Sequence, residues 1–182
     1  MKILIIQTSP KHTASTLLVN ALYGIIPELF DKKIAKENQG VQNIEKNFDN
    51  LIVVKTHKIN IDELIENYGK QYNLFFVCSE RNDKNLTIEN RYKDYVNVIA
   101  FDYNELNETE QNSLTEIVNT IYIRLNDMFN KNLLDNDIKL DKNKCVERIL
   151  QMNARYEEIK LLPFTYIDPF FEIHGSHRDR KH

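Results

Sequence analysis

The sequence predicts an α/β domain of three layers, α/β/α, built around a parallel sheet. Three observations predict it. The chain opens on Ile3-Leu4-Ile5-Ile6, a run apolar on both faces, as a strand covered on both sides of a sheet requires. At Ser9-Pro10 it breaks into a polar loop, Lys11 to Thr16, and then passes at once into an amphipathic helix. Further apolar runs of strand length then alternate with helical patterns, the order of a parallel sheet whose strands are joined by helices.

The first helix carries Leu18, Ala21, Leu22, Ile25, Ile26 and Leu29 on one stripe, with Pro27 as its expected kink or end. Asp31 to Asn50 is polar, without apolar periodicity, and reads as a surface excursion. Leu51 to Val54 is the second predicted strand, ending in Lys55-Thr56-His57. A short helix starts at Asn60, with Glu63 placed to reach back to the cap, and stops at Gly69, read as a C′ residue. Tyr72 to Cys78 is the third strand and Tyr95 to Phe101 the fourth. Asn107 and Glu110 cap a long helix with apolar positions from Leu114 to Phe129. A polar linker, Leu134 to Asp141, leads to a last helix over Lys142 to Lys160. The chain closes on an aromatic, proline-containing stretch and a tail rich in His and Arg.

At 182 residues this reads as one domain, 1–182, with length enough for a core. A net charge of −3 argues against a broad nucleic-acid surface but leaves room for a local basic pocket. No segment reaches the roughly 20 apolar residues of a membrane span, and the opening run is too short for a secretory signal. Cys78 and Cys145 read as buried free thiols, with no metal-ligand spacing. A cytoplasmic location is the expectation, with no membrane or nucleic-acid partner.

Strand, hydroxyl-rich loop and helix together make a phosphate site. The N–H groups of the helix's first turn point at an anion, and Lys11 and the hydroxyls add donors. In a parallel sheet the cleft lies at the carboxyl ends of the strands. There the sequence collects Lys11, then Lys55 and His57, then Arg81. Such a focus in a nearly neutral chain suits a multiply charged anion. Each residue also has a plainer reading. Lys11, Lys55 and His57 can be ordinary loop residues, and Arg81 can pair with Glu80, Asp83 or Asp102. His174, His177, Arg178 and Arg180 read as a solvated tail. Phe164, Tyr166, Phe170 and Phe171 read as core or interface, with an acceptor pocket as the alternative.

These residues resemble a known family. Pro10-Lys11 followed by Thr13-Ala14-Ser15-Thr16-Leu17 resembles the 5′-phosphosulfate loop of sulfotransferases that use 3′-phosphoadenosine 5′-phosphosulfate (PAPS), Pro-Lys-Ser-Gly-Thr-Thr and a bulky residue. Lys55-Thr56-His57 matches the Lys-Thr-His of their cytosolic members. Phe75 to Asp83 resembles their next strand, which ends in Arg-Asn and begins the 3′-phosphate site, and Phe101 to Leu106 is similar to their Tyr-Glu-Asp-Leu stretch. The matches run in family order from about Lys2 to Leu133. This sequence departs from the pattern by one extra loop residue, His12 or Thr13, and by Ala14 where the family has glycine. A position needing φ > 0 would be strained by that alanine; a helical one would not. The Arg-Lys-Gly signature is reduced to Arg180-Lys181.

The resemblance implies a P-loop-like sulfotransferase fold and transfer of a sulfuryl group from PAPS to a hydroxyl or amine, on a small-molecule or glycan acceptor, without a metal. His57 would be the base, Lys11 would stabilise the leaving oxygen, and Lys55 would hold the sulfuryl oxygens. Lys11, His12, Thr13, Ala14, Ser15 and Thr16 would surround the 5′-phosphosulfate, with Arg81 and Thr87 at the 3′-phosphate. The alternatives are a P-loop nucleotide or small-molecule kinase, against which stands the missing Gly-Lys-Ser/Thr ending of the loop, and a non-catalytic binding protein on the same fold.

Overall fold

A computed structural model describes residues 3–10, 14–30, 36–37, 51–57, 60–81, 88–106, 110–129 and 140–159. Its strands are β1 (Ile3–Thr8), β2 (Lys36–Glu37), β3 (Leu51–Thr56), β4 (Asn73–Glu80) and β5 (Asn97–Asp102). They form one parallel sheet in the order β2-β3-β1-β4-β5. The helices are α1 (Ser15–Phe30), α2 (Ile61–Tyr68), α3 (Ile88–Tyr92), α4 (Gln111–Phe129) and α5 (Lys142–Ile159), with a 3-10 turn at Tyr103–Glu105.

The period of two along each strand divides the core into two halves. Ile3 and Ile5 of β1, Val53 of β3, Phe75 and Val77 of β4 and Ile99 of β5 pack with α1, α4 and α5. Leu4, Ile6, Val54, Leu74, Phe76, Cys78 and Val98 pack on the other face with Ile61 and Leu64 of α2 and Tyr92 of α3. The three-layer α/β/α arrangement follows. A sheet covered on both faces needs strands apolar at successive positions, which is why Ile3 to Ile6 carries no alternation.

Helix α1 is the most enclosed. Leu18, Val19, Ala21, Leu22, Ile25 and Ile26 are all fully buried, because α5 covers the side that the sheet and α4 leave. At the crossing Arg148 Nη1 donates to the Gly24 carbonyl at 3.1 Å and the Cys145 thiol to the same oxygen at 3.6 Å. The helix continues through Pro27 to Phe30 instead of ending there. Packing on this scale outweighs the lost backbone bond and the clash that a proline brings.

Three local features differ from the sequence reading. The polar excursion contains β2, paired to β3 through Lys36 opposite Val53 and Glu37 opposite Val54. Two charged residues carry no apolar period for a pattern to find. Helix α3 was also absent from the reading; its five residues are too few for a helical period. Non-local partners hold it. Both Glu80 carboxylate oxygens accept from Ile88 N, at 3.1 and 3.0 Å, and Tyr92 O–H and Arg91 Nη2 both donate to Asp62 of α2 at 3.1 Å. Gly69 ends α2 with φ −62°, a right-handed conformation, so the positive φ expected of a C′ glycine is not its reason. Its reason is space: a Cβ there would lie 2.6 Å from the Ile65 carbonyl oxygen.

Asn60 caps α2 as expected, its side chain accepting from Glu63 N at 3.3 Å. Cys78 and Cys145 are both buried free thiols. Burial, aided by the charge of Glu80, pushes the Cys78 thiol up to about 12. Among the described residues no helix is long and apolar enough to cross a membrane. Asn107, most of the linker 134–141 and the aromatic and basic C-terminal residues lie outside the described residues.

The close approach at Gly69 makes a defined expectation. Gly69→Ala forces a backbone adjustment at the end of α2 and lowers stability by about 1–3 kcal/mol, the usual cost of overpacking. Urea unfolding measures it; an unchanged midpoint would show that the helix end shifts freely.

Candidate functional site

All five strands run the same way, so their carboxyl ends share one rim. The chain leaves β1 through α1 toward β2 and β3, and leaves β4 through α3 toward β5 on the other side. Neighbouring strands whose connections diverge leave a crevice above their ends. Here that pair is β1 and β4.

The crevice floor is polar and closed. The β1–β4 ladder ends at Thr8 opposite Cys78. One step beyond, a side chain continues the pairing: Ser79 N donates to Ser9 Oγ at 2.9 Å, and Ser79 Oγ lies 2.9 Å from the same atom. Gln7 Nε2 reaches Ser9 Oγ from the other side at 2.7 Å. Gln7, Ser9 and Ser79 are all fully buried. Gln7 Oε1 has no hydrogen-bond partner among the described residues.

On the β3 side, register places Lys55 level with Gln7. Both lie on the face that carries α1, since Ile5 and Val53, two positions earlier, pack there. Lys55 Nζ accordingly reaches α1 and donates to Thr16 Oγ1 at 3.1 Å. His57, two positions further and exposed, places Nδ1 3.1 Å from the Ser9 carbonyl oxygen. A carbonyl only accepts, so Nδ1 carries the proton and the lone pair of the neutral ring lies on Nε2.

Ala14 stands at the head of α1. Its carbonyl accepts the bond from Leu18 N at 3.1 Å, the role of an N-cap. Its φ is +56°, and it is the one non-glycine with positive φ among the described residues. The strain anticipated for alanine in place of glycine is therefore present. The methyl group cannot accept from the first-turn N–H groups as a Ser or Asp cap would. The turn that holds Ser15 and Thr16 is thus suited to an external oxygen ligand.

Arg81 follows the last residue of β4, exposed, with its guanidinium carbon 5.3 Å from the centre of the Tyr103 ring. Two acids that could have paired with it hold backbone N–H groups instead. Glu80 caps α3 through Ile88 N, and Asp102 caps the 3-10 turn through Asn104 N at 2.9 Å. Arg81 lies along an aromatic face, as a guanidinium does without losing its donors.

The structure therefore brings Lys55, His57, Ser15, Thr16 and Ala14 to one region, with Arg81 at the end of β4. Lys11, His12, Thr13, Asp83 and Thr87 lie outside the described residues. Gln7, Ser9 and Ser79 were not singled out from the sequence. Their only signal there is that polar residues follow an apolar strand directly, and this equally marks an ordinary loop. Among the described residues no three or more His, Cys, Asp and Glu side chains gather to hold a metal ion. A scan of protein-family models finds none that matches the chain, and no curated protein matches it either.

Ala14 yields a prediction of definite sign. The left-handed conformation costs alanine about 1–2 kcal/mol, and glycine's looser unfolded state returns about 0.4–1 of that. Ala14→Gly should stabilise the protein by up to about 1.5 kcal/mol, read as a higher denaturant midpoint at constant slope. A lower midpoint would mean that the positive φ is not maintained in solution.

Proposed function

We propose that the chain is a sulfotransferase with a P-loop-like fold, moving a sulfuryl group from PAPS to a hydroxyl or amine of a small-molecule or glycan acceptor. The observation that carries this reading is the placement of Lys55 at Thr16, in the first turn of α1, with His57 one pleat away on the same strand end. A cation, a helix N-terminus and an imidazole at adjacent strand ends suit transfer of an anionic group to a nucleophile that must lose a proton.

PAPS would supply the activated sulfuryl group and a bisphosphate leaving group. The residues fit such a donor: Ser15, Thr16 and the N–H groups around Ala14 for the 5′-phosphosulfate, and Arg81 beside Tyr103 for the 3′-phosphate. His57 Nε2 would take the proton as the acceptor forms its bond to sulfur and the bond to the leaving oxygen breaks. In the neutral ring with its proton on Nδ1, Nε2 carries the lone pair that such a step needs. Lys55 would hold the sulfuryl oxygens, and Lys11 would meet the charge developing on the leaving oxygen. In-line transfer of this kind rests mainly on positioning and fixed charge.

A ligand panel separates this reading from the alternatives. Adenosine 3′,5′-bisphosphate at about 100 times its Kd should add about 2.7 kcal/mol, which raises Tm by roughly 5–10 °C for a chain of this size. ATP with magnesium should do much less. The reverse ranking in calorimetry would support a kinase instead.

Variants separate enzyme from binder. His57→Ala should lower turnover by about 10²–10⁴-fold and leave bisphosphate affinity nearly intact, while Lys11→Ala lowers both. Bisphosphate binding with no transfer to any acceptor in a broad panel would mark a non-catalytic binding protein.

A further inference from the structure

The residue that ties these parts together is not among those expected to do chemistry. Ser9 faces the site with two groups. Its carbonyl oxygen meets His57 Nδ1 at 3.1 Å, and its hydroxyl meets Gln7 and Ser79. We propose that Ser9 is the positioning residue for His57: its carbonyl holds the imidazole in the Nδ1–H tautomer, and its buried hydroxyl holds the carbonyl in place.

The hydroxyl is anchored from three directions. It has one proton to give and two lone pairs, while Ser79 N–H, Ser79 Oγ and the Gln7 amide all lie within 2.7–2.9 Å. Ser79 N–H can only donate, so it takes one lone pair. The hydroxyl proton then goes to Ser79 Oγ or, with the Gln7 amide turned over, to the amide oxygen. The turned amide also gives the otherwise unpaired Gln7 oxygen a donor. All three residues are fully buried, so a rearrangement would strand polar groups away from water. A further restraint lies in the chain itself. Pro10 follows and confines Ser9 to extended backbone, limiting how far its carbonyl can swing.

His57 needs such a restraint because it is exposed and lies just beyond the last residue of β3. A hydrogen bond from one ring nitrogen to a fixed acceptor selects one tautomer and restrains the ring. With Nδ1–H given to Ser9, Nε2 is the basic nitrogen. The same bond joins the end of β3 to the end of β1. The consequence for catalysis rests on the sulfuryl-transfer reading; the tautomer and its dependence on Ser9 do not.

The test is long-range ¹H–¹⁵N correlation of the imidazole groups above pH 8, on the full chain with labelled histidine. The chain has five histidines, and His57→Ala identifies the relevant signals by their loss. The parent protein should show His57 as Nδ1–H, with widely separated nitrogen shifts. In Ser9→Ala the two nitrogen shifts should move toward one another as the tautomers mix. Ser79→Ala keeps the backbone N–H donor and should show the same change to a smaller extent, which serves if Ser9→Ala does not fold. A parent His57 in the Nε2–H form would overturn the proposal, as would variants that retain the parent tautomer in full. Where transfer is measurable, Ser9→Ala should lower kcat about tenfold, part of what a positioned base supplies, with bisphosphate affinity unchanged. Failure of the ligand panel with the tautomer result intact would sink the sulfotransferase reading and leave the Ser9–His57 relation standing.

Discussion

Pairing of β1 on both edges, combined with burial on both faces, is the constraint on which the other parts depend. Its residues from Ile3 to Thr8 match β3 on one side and β4 on the other without interruption. That double register sets Lys55 and Val77 level with Gln7, and carries His57 and Ser79 one pleat beyond. A slip of one residue in the β3 ladder would turn Lys55 to the face where Leu4, Ile6 and Phe76 are fully buried. A lysine charge there, away from Thr16, would cost several kcal/mol or force the group neutral. Packing that selects the register therefore also selects the site.

The carboxyl end of β1 reverses the chemistry of its start. Gln7, Thr8 and Ser9 are as buried as the isoleucines before them. Buried polar groups are tolerable only when hydrogen-bonded, so their partners must be held accurately, and the network becomes rigid for that reason. A few residues later the backbone adopts a left-handed conformation at Ala14. Local preference is thus violated at two places close in sequence, by buried polarity at Gln7 to Ser9 and by backbone strain at Ala14. Such departures from local consistency gather at functional sites, where the surrounding packing can enforce them.

The elements that could be read from sequence are those with a long or pure pattern. The apolar runs at Ile3, Leu51, Leu74 and Val98 and the stripes of α1, α4 and α5 state their own structure. Asn60 and Gly69 bracket α2 by composition, although the physical reason for the glycine proved to be a close approach. What could not be read depends on distant partners. Helix α3 exists because Glu80 and Asp62 hold its ends, and β2 because Val53 and Val54 offer it a ladder. At the site, Lys-Thr-His at a strand end was visible as a candidate. One partner of His57 is a backbone carbonyl 48 residues earlier, and no residue type announces that.

Charge gives the proposed anion site at the start of α1 its physical basis. The aligned peptide dipoles of a helix place roughly half a positive charge at its N-terminus. Lys55 brings a full positive charge to Thr16, in the first turn of that helix. The two repel, at a cost of about 0.3–1 kcal/mol by the usual scale for charges at helix ends. Ala14 adds no carboxylate or hydroxyl to offset this, as Asp or Ser would at the same cap. An anion seated between the ammonium group and the first-turn N–H groups changes the sign of both terms, because each positive group is then attracted to it. The more of its charge that lies on equatorial oxygens, the more of these donors it can satisfy at once. A tetrahedral phosphate or a sulfuryl group in transfer presents that distribution, whereas a monovalent halide or a single carboxylate does not. On the proposed reading, the field at this helix start would discriminate by the shape of the charge as well as by its sign.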